Sequence, residues 1–174
     1  MVEVLVADGY AGLTMDAVAA VAGVSKATIY RRWPTKGDLL VSVVDAASDQ
    51  TLDIPDSGSL RDDLVALLTS LSQVLAGPGG SASRALLGAM HDEAALAAAF
   101  RQGPMARWGD AFREVYGRAI ARGEIAPESG MSLGAEAGPA ILLLRWTISG
   151  RAIDEDLAKH VVDDVMLPLL SRPK

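Results

Sequence analysis

AGVSKATIYRRWPTK, residues 22–36, gathers four of the chain's sixteen Lys and Arg residues into one short window, beside Ser25, Thr28, Thr35, Tyr30 and Trp33. The chain around it is acidic, net −6 over 174 residues with a sequence pI near 4.8. Gly23, Val24 and Ser25 supply a helix stop, a tight turn and a new N-cap in succession, which predicts two helices joined by almost nothing. With Ile29 turned inward on a wheel of about 100° per residue, Ala27, Thr28, Tyr30 and Arg31 point outward. One tiny residue, one hydroxyl, one phenol and one guanidinium suit a DNA major groove, where small side chains permit approach and polar ones read base edges or grip phosphates. Lys26 and Lys36 each stand near a helix N-terminus, where ammonium groups and backbone N–H donors together favour a phosphate.

Upstream, Thr14 is the expected N-cap of the preceding helix and Asp16 lies in its first turn, with Met15, Val18, Ala19 and Ala22 following at i, i+3, i+4 and i+7. Val24 and Ile29 have the spacing of a hydrophobic staple across the Ser25 cap. Thr35 and Asp38 form a capping box for a third helix through Leu39, Leu40, Val43 and Val44 toward Ala47. The unit from Thr14 to Trp33 thus has the lengths of a helix-turn-helix. Thr14 to Lys36 carries Lys26, Arg31, Arg32 and Lys36 against Asp16 alone, a basic head on an acidic body. Such a distribution fits binding of a polyanion by the head.

The rest predicts helices. Half of the residues are apolar, and alanine and leucine dominate them while β-branched and aromatic residues are sparse, so the expected fold class is all-α. SDQTLDIPDSGS, residues 48–59, reads as a linker or exposed loop, dividing a head over residues 1–47 from a helical body over 48–174. Leu60, Leu64, Leu67, Leu68, Leu71, Val74 and Leu75 share one face of a helix that Gly77-Pro78-Gly79-Gly80 stops. One or two helices follow between Ser81 and Arg101, and another, bearing Met105, Trp108, Phe112, Val115 and Ala119, closes at Gly123 before a loop over 126–130. Two final helices, roughly Leu133–Ser149 and Asp154–Leu170, are apolar over wide faces, enough to meet both a core and a partner. Pro139 stands inside the first of them or at its beginning, and inside a helix it removes one backbone bond.

Several chemistries are excluded or disfavoured. Cysteine is absent, so there is no disulfide framework, thiolate metal site or cysteine nucleophile, and a reducing cytoplasm is the expected compartment. Glu3 and Asp8 interrupt what an export signal would need, and the apolar run from Ala137 to Leu144 meets Arg145 far short of the ~20 residues of a membrane helix. His91 with Asp92 and Glu93, and His160 with Asp163 and Asp164, lack the ligand count of a metal centre and form no recognisable catalytic set. No metal, cofactor or enzymatic activity is expected.

The stretch LVADGYAGLTMDAVAAVAGVSKATIYRRWPTKGDLL closely resembles the N-terminal domain of TetR-family transcriptional regulators. The likeness rests on Gly9-Tyr10, Thr14, Ala22-Gly23-Val24-Ser25, Thr28-Ile29-Tyr30, and Lys36 before Leu39-Leu40. A looser similarity to one group of TetR C-terminal domains runs through Arg122-Gly123-Glu124-Ile125 and Gly138-Pro139 to Arg145. The resemblance implies DNA contacts by Lys26, Thr28, Tyr30 and Arg31, with Thr14, Ser25 and Lys36 on phosphates and Trp33 in the core; Arg32 is assigned neither role. It implies a homodimer through the last two helices, which spaces two recognition helices by about 34–36 Å on a palindromic double-stranded operator. It implies a small-molecule effector that shifts the DNA-competent population. Candidate lining residues are Met90, Phe100, Met105, Trp108, Phe112, Tyr116 and Trp146, large or adaptable side chains that equally suit core packing. The family pattern has a longer first helix and a basic N-terminal arm, whereas this sequence opens near the middle of that helix, so the arm's ionic contacts are expected to be missing. An all-α carrier or enzyme with a vestigial head is the alternative, and a regulator answering to a protein partner, or an activator, would share the head.

Overall fold

Thr14 begins the first described helix as the sequence requires: its Oγ1 accepts the Ala17 amide at 3.2 Å, capping α1 (Met15–Ala22). The computed structural model describes residues 12–91, 93–149 and 153–171. Gly9, Tyr10 and Asp92, named above, lie outside them. The helix ends at Gly23, whose φ of 66° only glycine adopts cheaply, while Gly23 donates to the Ala20 carbonyl and Val24 to that of Ala19. Ser25 then caps α2 (Lys26–Arg32). In α3 (Lys36–Thr51) the capping box is reciprocal: the Thr35 amide donates to the Asp38 carboxylate at 3.0 Å and the Asp38 amide to Thr35 Oγ1 at 3.1 Å. The helix runs on to Thr51, past the expected end near Ala47, so the loop between head and body starts later than its polar composition implied. Asp49, which read as linker, is helical and pairs with Arg107.

Six further α-helices and several tighter or wider helical turns follow among the described residues: α4 (Leu60–Ala76), α5 (Pro78–Ala89), α6 (Ala94–Phe100), α7 (Ala106–Arg122), α8 (Leu133–Leu144) and α9 (Glu155–Val161), with a last turn α10 (Leu167–Leu170). Segments Arg101–Met105, Arg145–Ser149 and Val162–Met166 are π-helical; the first contains Pro104 and the last ends two residues before Pro168, and neither proline can donate to the helical ladder. The expected loop over 126–130 is a 3₁₀ turn, Pro127–Met131, pinned by buried Ser129 donating to the Leu170 carbonyl at 2.8 Å. No helix among the described residues is long and apolar enough to cross a membrane.

The chain packs as two compact units. One takes the sequence through Gln50 together with Val74–Arg107, so α5 and α6, read above as part of the body, share a unit with the head. Its core joins Leu13, Met15, Val18, Ala19 and Ile29 to Leu39, Leu40 and Val44 of α3, Ala82 and Leu86 of α5, and Leu96 of α6. Val24 keeps 41% of its surface exposed, so the staple to Ile29 is loose. At the end of this unit, Arg107 clasps α3 by pairing with Asp45 at 2.9 Å and with Asp49.

The other unit takes Thr51–Gln73 and the sequence from Trp108 onward. Leu60, Leu64, Leu67 and Leu68 of α4 are fully buried there, as are Val115 of α7, Leu142 of α8 and Met166 of the π segment after α9. Helix α8 lies close against the last helix through small residues: a Cβ built on Gly134 would stand 2.7 Å from Leu169 Cβ. The loop before α4 is tied down. Ser57 donates through both its amide and its hydroxyl to Asp63 Oδ1 at 2.8 and 2.7 Å, and Arg118 donates to the Pro55 carbonyl. Buried Asp63 faces the Arg122 guanidinium at 3.8 Å. Burial pushes the Glu124 carboxyl up, but the Leu60 amide and Arg122, both donating to it, outweigh burial and hold it below the ordinary range.

Candidate nucleic-acid interface

Helix α2 is seven residues long, too short to persist alone, so its caps and its single buried anchor decide its position. Ser25 Oγ accepts the Thr28 amide at 3.2 Å and lies 2.9 Å from Thr28 Oγ1. Ile29 is buried in the head's core, which fixes the rotation of the helix. The opposite face is left to solvent as the wheel predicts: Ala27, Thr28, Tyr30 and Arg31 are exposed, Tyr30 by 49%. A tyrosine left half exposed on this face offers its ring surface to a partner.

Thr14 and Ser25 are exposed, and each hydroxyl oxygen already accepts an amide. Lys36 opens α3 and is half-buried. Trp33 is partly buried against the head's core, and Arg32 resolves beside it with its guanidinium 4.8 Å above the indole centroid, a cation–π contact. Lys26 differs most from expectation: its ammonium lies 2.5 Å from the Asp16 carboxylate of α1. Sequence reading placed Asp16 at a helix N-terminus and missed this partnership across the turn.

The candidate effector residues fall into two groups. Met90 and Phe100 pack against the head's core and Met105 is 45% exposed, while Trp108, Phe112, Tyr116 and Trp146 are buried in the second unit. Phe112 and Tyr116 stack with ring centroids 6.3 Å apart. The Tyr116 hydroxyl donates to the Ala135 carbonyl at 2.9 Å, and burial pushes the phenol's pKa well up, so it remains a neutral donor. Among the described residues no group of three His, Asp or Glu side chains is placed to hold a metal ion.

Comparison with known proteins bears on both halves. Residues 2–43 match the model of bacterial regulatory proteins of the tetR family, and residues 54–165 match a tetracyclin repressor-like C-terminal domain. A DNA-binding transcriptional repressor TetR from Mycobacteroides abscessus is 34% identical over 169 residues, covering 97% of this chain and 88% of that protein. An uncharacterised HTH-type transcriptional regulator of Mycobacterium tuberculosis is 34% identical, covering 94% of this chain and 81% of the relative. Among solved structures, the TetR family transcription regulator SCO0332 superposes with a TM-score of 0.73 at 32% identity, covering 98% of this chain and 94% of that one.

Proposed function

The chain belongs to the TetR family of bacterial regulatory proteins, and from that membership we propose that it is a homodimeric repressor that holds a palindromic operator and leaves it when a small, largely apolar effector binds the body. DNA-binding regulation follows from the family itself; repression, dimerisation and effector release are the further steps. The observation that carries the reading is the exposed Thr28–Tyr30–Arg31 face of α2, held by the Ser25 cap and the Ile29 anchor. Thr14, Ser25, Lys26 and Lys36 are assigned to the phosphates that set register, and Thr28, Tyr30 and Arg31 to the groove. The head is assigned to residues 1–47 and regulation and dimerisation to 48–174.

Fluorescence anisotropy on a duplex from the gene's own upstream region tests the head. Saturable, sequence-selective binding that weakens with salt is expected, and Tyr30→Ala should weaken it by about tenfold or more, as loss of one base contact does. Its melting temperature should stay at the wild-type value, because Tyr30 is half exposed. Equal affinity for the upstream and a scrambled duplex would overturn the operator reading.

Dimerisation is supported by apolar surface that a monomer has no use for: Met131, Leu133 and Ile148 are 88%, 83% and 77% exposed, and Leu144 at the end of α8 is exposed as well. A two-fold interface uses each residue twice, so Ile148→Arg would place an unpaired guanidinium in the apolar seam twice. Leaving a charge buried and unpaired costs several kcal/mol. Sedimentation should show a dimer for the wild type and a dimer constant at least about a hundredfold weaker for the variant; an unchanged dimer would place the interface elsewhere. The effector is assigned to the candidates buried in the second unit, Trp108, Phe112, Tyr116 and Trp146, and displacement of operator DNA by a ligand panel tests it.

A further inference from the structure

The pairing of Lys26 with Asp16 needs a reason beyond stability. Their side chains are 63% and 56% exposed, and ion pairs that open to water contribute little to folding. The two residues are ten apart in sequence, on different helices, and the pair lies at the start of the recognition helix, next to Ser25 and Thr28. A carboxylate there is also a poor neighbour for DNA, since it repels the phosphates that Lys26 would meet. Its geometry toward the ammonium is that of a phosphate oxygen: one anionic acceptor at short range.

We propose that Asp16 is an internal stand-in for a DNA phosphate, which keeps Lys26 neutralised while the head is free and so subtracts one ionic contact from sequence-independent DNA binding. This rests on the DNA-reading assignment of the head. A neutral pair releases no counterion when it reaches DNA, whereas a lone lysine releases about one, and that release supplies most of the affinity for random sequence. Lys26 exchanges carboxylate for phosphate only where the rest of the α2 face is seated well enough to offset the lost pair. Asp16 thereby widens the gap between operator and random DNA without touching a base.

The test uses a random-sequence duplex and the full chain, with affinity measured from 0.1 to 1 M salt. Asp16→Asn should steepen the dependence of log K on log salt by about 0.9, which amounts to about eightfold tighter binding at the low end relative to the high end. In a Lys26→Met background the same substitution should leave the slope unchanged, because the effect acts through Lys26. An unchanged slope in Asp16→Asn overturns the proposal. So does an equal steepening with and without Lys26, which would make Asp16 only a negative charge repelling phosphates. A variant that leaves α1 untouched gives an independent arm: Lys26→Met should flatten the slope by much less than the roughly 0.9 of a full ionic contact, and flattening by about 0.9 overturns the proposal. Binding by the wild type with any of these failures leaves the DNA-reading head standing, whereas absence of salt-dependent binding in every variant overturns the head and Asp16's role together.

Discussion

Gly80→Ala should lower the stability of the chain by about 3 kcal/mol or more, a large share of the roughly 5–15 kcal/mol that holds a typical domain folded. A Cβ built on Gly80 would overlap the carbonyl oxygen of Leu75, with the Leu75 carbonyl carbon and Cα close behind it. All three are backbone atoms in the last turn of α4, so no rotamer change relieves the collision. The corner at Gly77 between α4 and α5 must open instead. Helix α5 carries Ala82 and Leu86 into the head's core, against α1 and α3, and displacing it loosens that packing. The comparison that isolates the effect is Gly88→Ala on the same helix, where the new methyl meets nothing within 4 Å. Alanine's helix preference should make that variant more stable by about 0.5–1 kcal/mol. Urea unfolding followed by circular dichroism reads both, and a Gly80→Ala midpoint at or above the wild type would show that the corner yields freely.

Gly80 also marks the limit of what the sequence discloses. Contacts spanning three or four residues were legible, because side chain and backbone partner are fixed by spacing alone. Thr14 on Ala17, Ser25 on Thr28, and Thr35 with Asp38 form as written. The buried faces of α1, α2 and α4 follow their apolar periodicity for the same reason, except at Ala22, which lies exposed at the end of α1. What escaped depends on approach between elements. The GPGG run announces a break, but only the packing of α5 against the end of α4 says why one of its glycines tolerates no side chain. Lys26 and Asp16 are both visible as charges, yet their pairing requires the angle of the helix-turn-helix. Met90 and Phe100 read as pocket lining on chemistry alone, while the α5–α6 segment that bears them packs with the head.

Tyr116→Phe should cost about 2 kcal/mol, and the reason lies in a proline. In a regular helix the amide of residue 139 donates to the carbonyl of residue 135, but Pro139 has no N–H. Ala135 is buried, so water does not replace the missing donor. The Tyr116 hydroxyl does: it reaches from α7 to the Ala135 carbonyl at 2.9 Å, and α8 keeps its proline without an orphaned acceptor. Removing the hydroxyl restores the orphan, with a penalty of about 1–3 kcal/mol, while the stacking of the ring on Phe112 is retained. Pro139→Ala supplies a backbone donor in its place, so the double variant should recover at least half of the loss. Costs that simply add would mean that the two residues do not share the carbonyl. The same bond bears on the effector: a hydroxyl committed to Ala135 leaves Trp108 and Phe112 to contribute rings and no polar group from Tyr116. An effector found by displacement should therefore bind Tyr116→Phe as tightly as the wild type once both are folded. A loss of tenfold or more would mean that the ligand takes the hydroxyl from Ala135, and α8, with its exposed Leu144 and the neighbouring Ile148, would then be the element through which the effector reaches the dimer.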